Sequence, residues 1–583
     1  MNAHPSKLTR VAAAVLSALV LVNGTQAVAA PLGQLDPGRV EVPDRSGTRN
    51  SVTTMPGTLE MPETVITPEI EEPPEEMTAL PGNMTRFLVK KVNIVGANSY
   101  PPGTFDSLVS RLEGNRVNLQ EINKVVNTIT QRYRKAGFLL AKAYLPEQRL
   151  EDGVLTIQVF EGKVNEVTFS GPTNTTLKRY ADNILSETPP TSTTLERNLL
   201  LMNDVSGNDS RAMLQASPVE DGTDLAVENS LRKYEGFVGF DNRDSRYFGP
   251  WQLYGGVGVN DLTGRGDHLG VRAGRSIEGD KMTFVEGQYE LPLGSKGDVL
   301  SVLAQHNDGH ADTYSFLNPN SSGDTFALRL TRPWIRLRDE TLKTSAAFTY
   351  YNGTSEYLDD KSLPPSSEDR IRALRLGASY DWYDAYGGKN LLKAELSQGL
   401  DIMGASSESR LNPSREGGET DFTKLQVDAQ RIQDLSGVMD GLNLYVAGSA
   451  QTSFGQRLLS PEQFGVGGSE FGRGYDPSEI TGDSGVALKT ELQYNHVHSV
   501  KDHAVPTQYY GFWDAGKVWS EKPSWVRSES LASAGFGARF NVFKDTYVSP
   551  EVAFPLTRSV SAEELDDDNG KAPRFYINFL KLF

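Results

Sequence analysis

The feature that most constrains this chain begins near residue 232 and runs to its end: segments of roughly ten residues in which apolar and polar side chains alternate, separated by clusters of Gly, Asp, Asn, Ser and Pro. In the clearest, Val486, Leu488, Thr490, Leu492 and Tyr494 fall on one side of an extended chain, and Ala487, Lys489, Glu491, Gln493 and Asn495 on the other. One side suits lipid and the other water. After the first thirty residues no stretch approaches the roughly 18 uninterrupted apolar residues that a membrane-crossing helix needs. Residence in a membrane therefore requires a closed barrel, the other structure that satisfies every backbone N–H and C=O in hydrocarbon. Sixteen segments are expected, opening near Tyr234, Trp251, Asp267, Lys281, Asp298, Asp324, Thr341, Arg370, Asn390, Asp421, Leu442, Gly485, Thr507, Leu531, Thr546 and Pro573. An even number returns both ends of a barrel to one side. A soluble β-sandwich would share the spacing.

The two ends of the sequence bear on that choice. Lys7 and Arg10 precede an apolar run from Val11 to Val22, followed by Ala27, Ala29 and Ala30, the layout of a cleaved secretory leader. The last segment puts Phe575, Ile577, Phe579 and Phe583 on one face, similar to the targeting signal of bacterial outer-membrane barrels. Lys581 falls on that face too, where its stem can lie along lipid while its head reaches the interface. With no cysteine, thiolate metal sites, cysteine nucleophiles and disulfides are excluded. The formal charge of −17 opposes general nucleic-acid binding. Much of the acid lies between residues 31 and 85, a proline- and glutamate-rich stretch that reads as an extended linker, with a plug as the alternative.

Between linker and barrel the periodicity changes. Phe87–Val95 reads as a strand, Pro101–Leu112 as a short helix, and Leu119, Ile122, Val125, Val126, Ile129 and Tyr133 as the apolar face of a second helix. Asn118 and Glu121 form its capping pair and Gly137 its stop. Strands follow over Phe138–Leu145 and Val154–Phe160. The same order recurs more faintly: Val164–Phe169, helices over Thr175–Leu185 and from a capped Thr193 through Glu196 to Met202, then Ala212–Ser217 and Thr223–Glu228.

Particular motifs sharpen the picture. Tyr133-Arg134-Lys135-Ala136-Gly137-Phe138, Pro146-Glu147-Gln148 and Phe160-Glu161-Gly162-Lys163 in the first small unit, Asp241-Asn242 and Gly264-Arg265-Gly266-Asp267 at the barrel entrance, and Phe471-Gly472-Arg473-Gly474-Tyr475 with Gly482-Asp483-Ser484-Gly485 further on resemble the TpsB family, the outer-membrane transporters of two-partner secretion. The resemblance implies α+β periplasmic POTRA domains followed by an all-β 16-stranded transmembrane barrel. The expected bounds are a leader over 1–30, the linker over 31–85, POTRA units over 86–162 and 163–231, and the barrel over 232–583. It also implies that Arg473, Gly474 and Tyr475 form the tip of a loop folded into the lumen, although Gly472 stands where the family carries an aliphatic residue.

Phe512-Trp513-Asp514-Ala515-Gly516 belongs to the thirteenth segment, and period two puts Phe512, Asp514 and Gly516 on one face. The resemblance implies that this face lines the lumen. A guanidinium fork suits a carboxylate, so Arg473 is expected to pair with Asp514, with Gly516 leaving room for the loop. The POTRA units would capture an unfolded client by lending it a sheet edge; Leu139, Leu140, Ala141, Lys142, Ala143, Tyr144 and Leu145 are the candidate edge, an internal strand being the alternative.

His496, His498 and His503 cluster where a short periplasmic turn is expected, without an acid set to complete a metal site. Gly264-Arg265-Gly266 lacks the strand-to-helix context of a phosphate loop. No catalytic residue, metal or cofactor is expected. The implied function is secretion of a large TpsA-type exoprotein from the bacterial outer membrane, with lipid and the barrel assembly machinery as further partners; a BAM-type insertase is the alternative.

Overall fold

A computed structural model describes residues 86–583 apart from 150, 218–221, 280, 311–319, 357–366, 407–411, 501–502, 523, 525–526, 558–559 and 561–571. The leader and linker expected over 1–30 and 31–85 lie outside these residues.

The first small unit is organised by one amphipathic helix. Asn118 accepts the Glu121 N–H at 2.9 Å while the Glu121 carboxylate accepts the Asn118 N–H at 2.8 Å, so two otherwise orphaned donors are satisfied where the helix Leu119–Lys135 begins. Its buried stripe, Ile122, Val126, Ile129 and Tyr133, packs on a three-stranded sheet with Val154–Phe160 between Lys91–Val95 and Lys142–Tyr144. The Tyr133 hydroxyl donates to Glu161 at 2.8 Å, joining two of the quoted motifs; burial, then this bond, pushes the phenol above its ordinary range.

Three expectations change here. The strand over 87–95 divides at Lys90, and Phe87–Val89 pairs with Asn115–Val117, too short to show a period. The helix over 101–112 contracts to Asp106–Val109, because Pro101, Pro102 and a left-handed Gly103 delay its start. The strand over 138–145 contracts to Lys142–Tyr144: Phe138 N–H closes the preceding helix on the Tyr133 carbonyl at 3.1 Å, and Ala141 N–H turns back to Phe138 at 3.1 Å.

The second unit sets helices Thr175–Ser186 and Ser192–Asp204 against Val164–Ser170, Thr223–Leu231 and Asn208–Ala216, with Thr223–Leu231 in the middle. Its second helix is capped by Thr191, whose hydroxyl accepts the Thr194 N–H at 3.2 Å, rather than by Thr193.

The remainder is a closed antiparallel barrel of sixteen strands, each opening within a few residues of its expected start. The first, Tyr234–Asp241, pairs with both the second, Gln252–Asn260, and the last, Arg574–Leu582. Alternation decides what faces lipid: Phe326, Leu328, Leu330 and Trp334 are exposed along the sixth strand, and Phe575, Ile577 and Phe579 along the last. Lys581 turns its amino group to the Lys544 carbonyl, 2.9 Å away in a rim turn.

The second unit is fastened to the rim where the chain enters the barrel. Arg336 forks onto Asp204 with two bonds of 2.8 Å, and Arg197 donates to the carbonyls of Lys296, Pro333 and Trp334. The turn over 261–267 meets the start of helix Thr175–Ser186: Thr175 N–H donates to Gly264 O at 3.1 Å and the Thr176 hydroxyl to Arg265 O at 2.6 Å. In that turn burial would raise the Asp267 pKa, but the Thr263 amide and hydroxyl and the Tyr289 hydroxyl donate to its carboxylate and hold it below the ordinary range. Gly266 combines φ +76° with a Cβ position only 2.7 Å from Val205 Cγ1. Gly266→Val is therefore expected to loosen this seating. Limited proteolysis should cut faster near residues 231–234 while the barrel keeps its resistance to heat in detergent; an unchanged cleavage rate would contradict the docking argument.

Candidate functional site

Residues 453–483 join the eleventh strand, Leu442–Thr452, to the twelfth, Ser484–Val500, and fold back into the barrel. Within them Phe464–Val466 pairs with Ile480–Gly482, and this hairpin packs on the twelfth to fourteenth strands, the last two being His503–Trp519 and Ser528–Phe543. Phe464, Val466, Tyr475 and Ile480 share a buried apolar cluster with Ala487, Val518 and Leu531. The loop is thus held partly by apolar packing against a wall that is otherwise polar on its inner face.

Arg473 sits at the tip, 3% exposed. Its Nε and Nη2 each lie 2.8 Å from an oxygen of Asp514, the two-pronged geometry that a guanidinium offers a carboxylate. Nη1 lies 2.5 Å from Glu491 and 3.4 Å from Glu551. The backbone N–H groups of Gly472 and Arg473 both donate to Asp514 at 3.2 Å, so one carboxylate holds the side chain and the backbone of the tip. The guanidinium carbon stands 3.5 Å from the centre of the Phe512 ring, an arrangement in which ring and cation attract.

Other charged side chains share these carboxylates. Arg539 shares Glu491, at 3.1 and 3.2 Å, and Arg243 shares Glu551, at 3.1 Å. Tyr510 donates to Glu551 at 2.7 Å, and Gln493 to Glu491 at 2.8 Å. Three arginines thus face three carboxylates; several kcal/mol of desolvation per ion would be uncompensated if one were missing.

The remaining motif residues have separate tasks. A Cβ on Gly516 would lie 2.5 Å from Val466 Cγ1, so the wall is cut back where the hairpin presses on it. Gly474 approaches Ser533 Cβ and the Pro555 backbone to 2.9 and 3.0 Å on the same measure. Tyr475 is fully buried and its hydroxyl accepts the Thr557 N–H at 3.2 Å. Gly472 has φ +87°, and its Cβ position is 2.6 Å from Leu531 Cδ1. Here an aliphatic residue would meet both backbone strain and a filled space.

Sequence reasoning did not single out Glu491, Arg539, Glu551 or Arg243. Glu491 carried a readable signal, a charge on the inward face of a strand beside the Asp514 strand; the others have none without the barrel's curvature. A second set of anchors comprises two acids that were also missed, Glu462 and Asp476, and Asp483 of a quoted motif. Glu462 of the loop meets Arg375 at 2.6 Å and Lys424 at 2.7 Å, from the eighth and tenth strands, while Asp476 meets Arg246 and Arg574 at 2.9 Å beside the closing seam. Asp483 takes Arg415 at 2.5 Å. The loop is braced on several sides of the lumen.

The other expected residues are not brought to this site. Leu139, Leu140 and Ala141 lie in a turn; Leu140 packs towards the core of the second unit, and the Ser192 N–H donates to the Gly137 carbonyl at 2.7 Å. Lys142, Ala143 and Tyr144 do form an edge strand, with Leu145 beyond its end, but the Ala143 N–H already donates to the Thr130 hydroxyl at 2.9 Å. His496, His498 and His503 lie on strands rather than in a turn. His496 and His498 form an edge-to-face pair with ring centres 4.6 Å apart, and His498 Nε2 is 2.9 Å from the Tyr509 hydroxyl.

Comparison with known proteins agrees with this architecture. The family model described as haemolysin secretion/activation protein ShlB/FhaC/HecB matches residues 221–540, and that of the ShlB-type POTRA domain matches residues 87–162. The heme/hemopexin transporter protein HuxB of Haemophilus influenzae is 23% identical over 526 residues, covering 85% of this chain and 87% of its own. The outer membrane transporter CdiB of Escherichia coli O6:K15:H31 is 25% identical over 432 residues, covering 70% and 69%. Among solved structures, CdiB from Escherichia coli superposes with a TM-score of 0.68 at 21% identity, over 89% of this chain and 93% of that one, and shares the fold.

Removing the Arg473 side chain leaves three carboxylates facing two arginines. Breaking a buried pair costs about 3–5 kcal/mol, less where lumen water reaches the orphaned acids. Arg473→Ala should free the tip, raising single-channel conductance in planar bilayers and exposing 470–480 to protease. Arg473→Lys should recover only part, because an ammonium cannot fork onto Asp514 or stack flat on Phe512. Conductance and cleavage equal to wild type in Arg473→Ala would show that apolar packing alone retains the loop.

Proposed function

The chain belongs to the haemolysin secretion/activation protein family, and from that premise we propose that it exports one large secreted exoprotein of the TpsA type, passed through the barrel as extended polypeptide. It is an outer-membrane transporter of the two-partner secretion type, with its POTRA region in the periplasm. The observation that carries the fuller reading is the arginine-tipped loop, bound by ions to several walls of a closed barrel whose rim also seats an α+β unit. Such a loop braces or gates a conduit and has no use in a passive pore.

The chain works as a conduit and performs no catalysis. Without a nucleotide supply in the periplasm, folding of the client outside the cell gives transport its direction. Lipid surrounds the barrel, and the barrel assembly machinery inserts it. A BAM-type insertase would share barrel and loop; the family match and relatives described as transporters favour secretion.

The client is first held by sheet-edge addition, in which backbone bonds give affinity with little demand on sequence. The favoured edge is Asn208–Ala216 rather than the stretch 139–145. Ser210 has both backbone groups occupied by the Asn203 side chain, at 2.6 and 3.1 Å, whereas Ala212 and Leu214, facing the same way, meet no partner among the described residues. Met213 beside them is 61% exposed.

Deleting residues 86–231 should abolish delivery of the partner to the cell surface while the barrel still inserts, and Leu214→Pro in the full chain should lower delivery severalfold by removing one edge N–H. Quantitative surface immunoblotting reads both. Undiminished secretion after the deletion would refute periplasmic capture, and failure of many unrelated outer-membrane barrels on depletion would point to the insertase.

A further inference from the structure

Alternation in the sequence leaves 496–506 for a turn. Both strands instead run on, with Ser484–Val500 and His503–Trp519 paired from Ser484 opposite Trp519 to Val500 opposite His503. Their neighbours stop earlier. The eleventh strand's pairing ends at Leu442 opposite Tyr494, after which Asn495 N–H reaches the Gly441 carbonyl at 2.8 Å; pairing of the thirteenth strand with the fourteenth stops at Thr507 opposite Phe540. Residues 496–500 and 503–506 therefore extend past the wall as a two-stranded tongue. At ~3.4 Å per residue it reaches about 17 Å beyond the rim.

An even-numbered strand ends on the side where the first begins, so the tongue enters the periplasm. The second small unit is seated on the turns after the second and fourth strands and on the end of the sixth. In a ring of sixteen, the tongue on strands twelve and thirteen stands across the mouth from that unit.

The tongue's two edges differ. Since Asn495 directs its N–H towards the eleventh strand, Val497 and Ser499 direct theirs the same way. Among the described residues, no partner meets them. On the opposite edge the corresponding position is Pro506, paired with Val497, which has no N–H to offer. Exposed edges invite strand addition and are commonly blunted by proline or lysine. Proline blunts one edge at Pro506, and the other edge is open beside Val497, 60% exposed.

We propose that the open edge Val497–Ser499 takes up an extended segment of the polypeptide in transit, by strand addition, as it passes from the small domains to the lumen. This rests on the export reading above. The occupant follows from position and chemistry. A chain kept unfolded for transport has backbone donors and acceptors free along its length, and so can use an edge that makes no demand on sequence. Val497 and Ser499 also continue the inward face of Glu491 and Gln493, so a segment held there lies in line with the lumen. A second copy of the chain is the competing occupant.

The test uses the full chain in cells that make its partner, identified as the surface polypeptide lost when this chain is absent. Val497→Pro removes an N–H that the barrel does not use and should slow appearance of the partner about tenfold; Val497→Thr, which keeps that N–H, should behave as wild type. A photo-crosslinking residue at position 499 should form an adduct with the partner, and one at position 504 should not. If Val497→Pro fails to assemble, Ser499→Pro and the crosslinks decide. Wild-type secretion by an assembled proline variant, or an adduct at 499 made only with a second copy, overturns the proposal. Absence of any surface polypeptide dependent on the wild-type chain would instead overturn the export reading itself.

Discussion

Everything in this molecule follows from the absence of water within a bilayer's hydrocarbon. A backbone N–H or C=O left without a partner there costs several kcal/mol, so a sheet that crosses must close on itself. Closure falls to the first and last strands, where Asn578 to Leu582 pair with Asp241 to Phe237. At one end of that seam a side chain extends the ladder: Asn242 accepts the Ile577 N–H and donates to the Phe575 carbonyl, both at 2.8 Å. At the other, Phe583 N–H donates to Gly236 O at 2.8 Å.

Closure also creates the interior in which the function resides. Period two turns half of every strand inward, and lipid on the outside leaves the polar half to the lumen. The loop over 453–483 exploits that polarity. Its tip brings a third arginine to three buried carboxylates, and Glu462, Asp476 and Asp483 fasten it to other parts of the wall. These bonds favour one position of the loop without making it immovable, since water admitted to the lumen would solvate the same ions.

Outside the membrane the same requirement operates in reverse, because an unpaired strand edge there is tolerated and can be used. The molecule treats its edges unequally. Thr130 covers Ala143, Asn203 covers Ser210 and Pro506 removes a donor, while Ala212, Leu214, Val497 and Ser499 are open among the described residues. Covered and open edges stand side by side, which narrows where another extended chain could add.

Sixteen strands, the strong helix Leu119–Lys135 and its reciprocal cap were legible because each is a local periodicity with a local terminator. The motif residues Arg473, Phe512, Asp514 and Gly516 were legible through resemblance and the two-residue period. Elements of three or four residues, such as Asn115–Val117 and Asp106–Val109, were not, since a period cannot be read from one repeat. The tongue escaped for another reason: beyond Asn495 neither lipid nor lumen enforces alternation. Its strands persist because they bond to each other. By itself, then, the amino-acid order determined the class of fold, the number of staves and which side of each faces lipid, all consequences of neighbours along one chain. Only the tertiary structure decided that Glu491, Arg539, Glu551 and Arg243 gather around Arg473 and that the edge at Val497 stands open among the described residues. Those groups come from segments up to about three hundred residues apart, and it is the curvature of a closed sheet that brings them together.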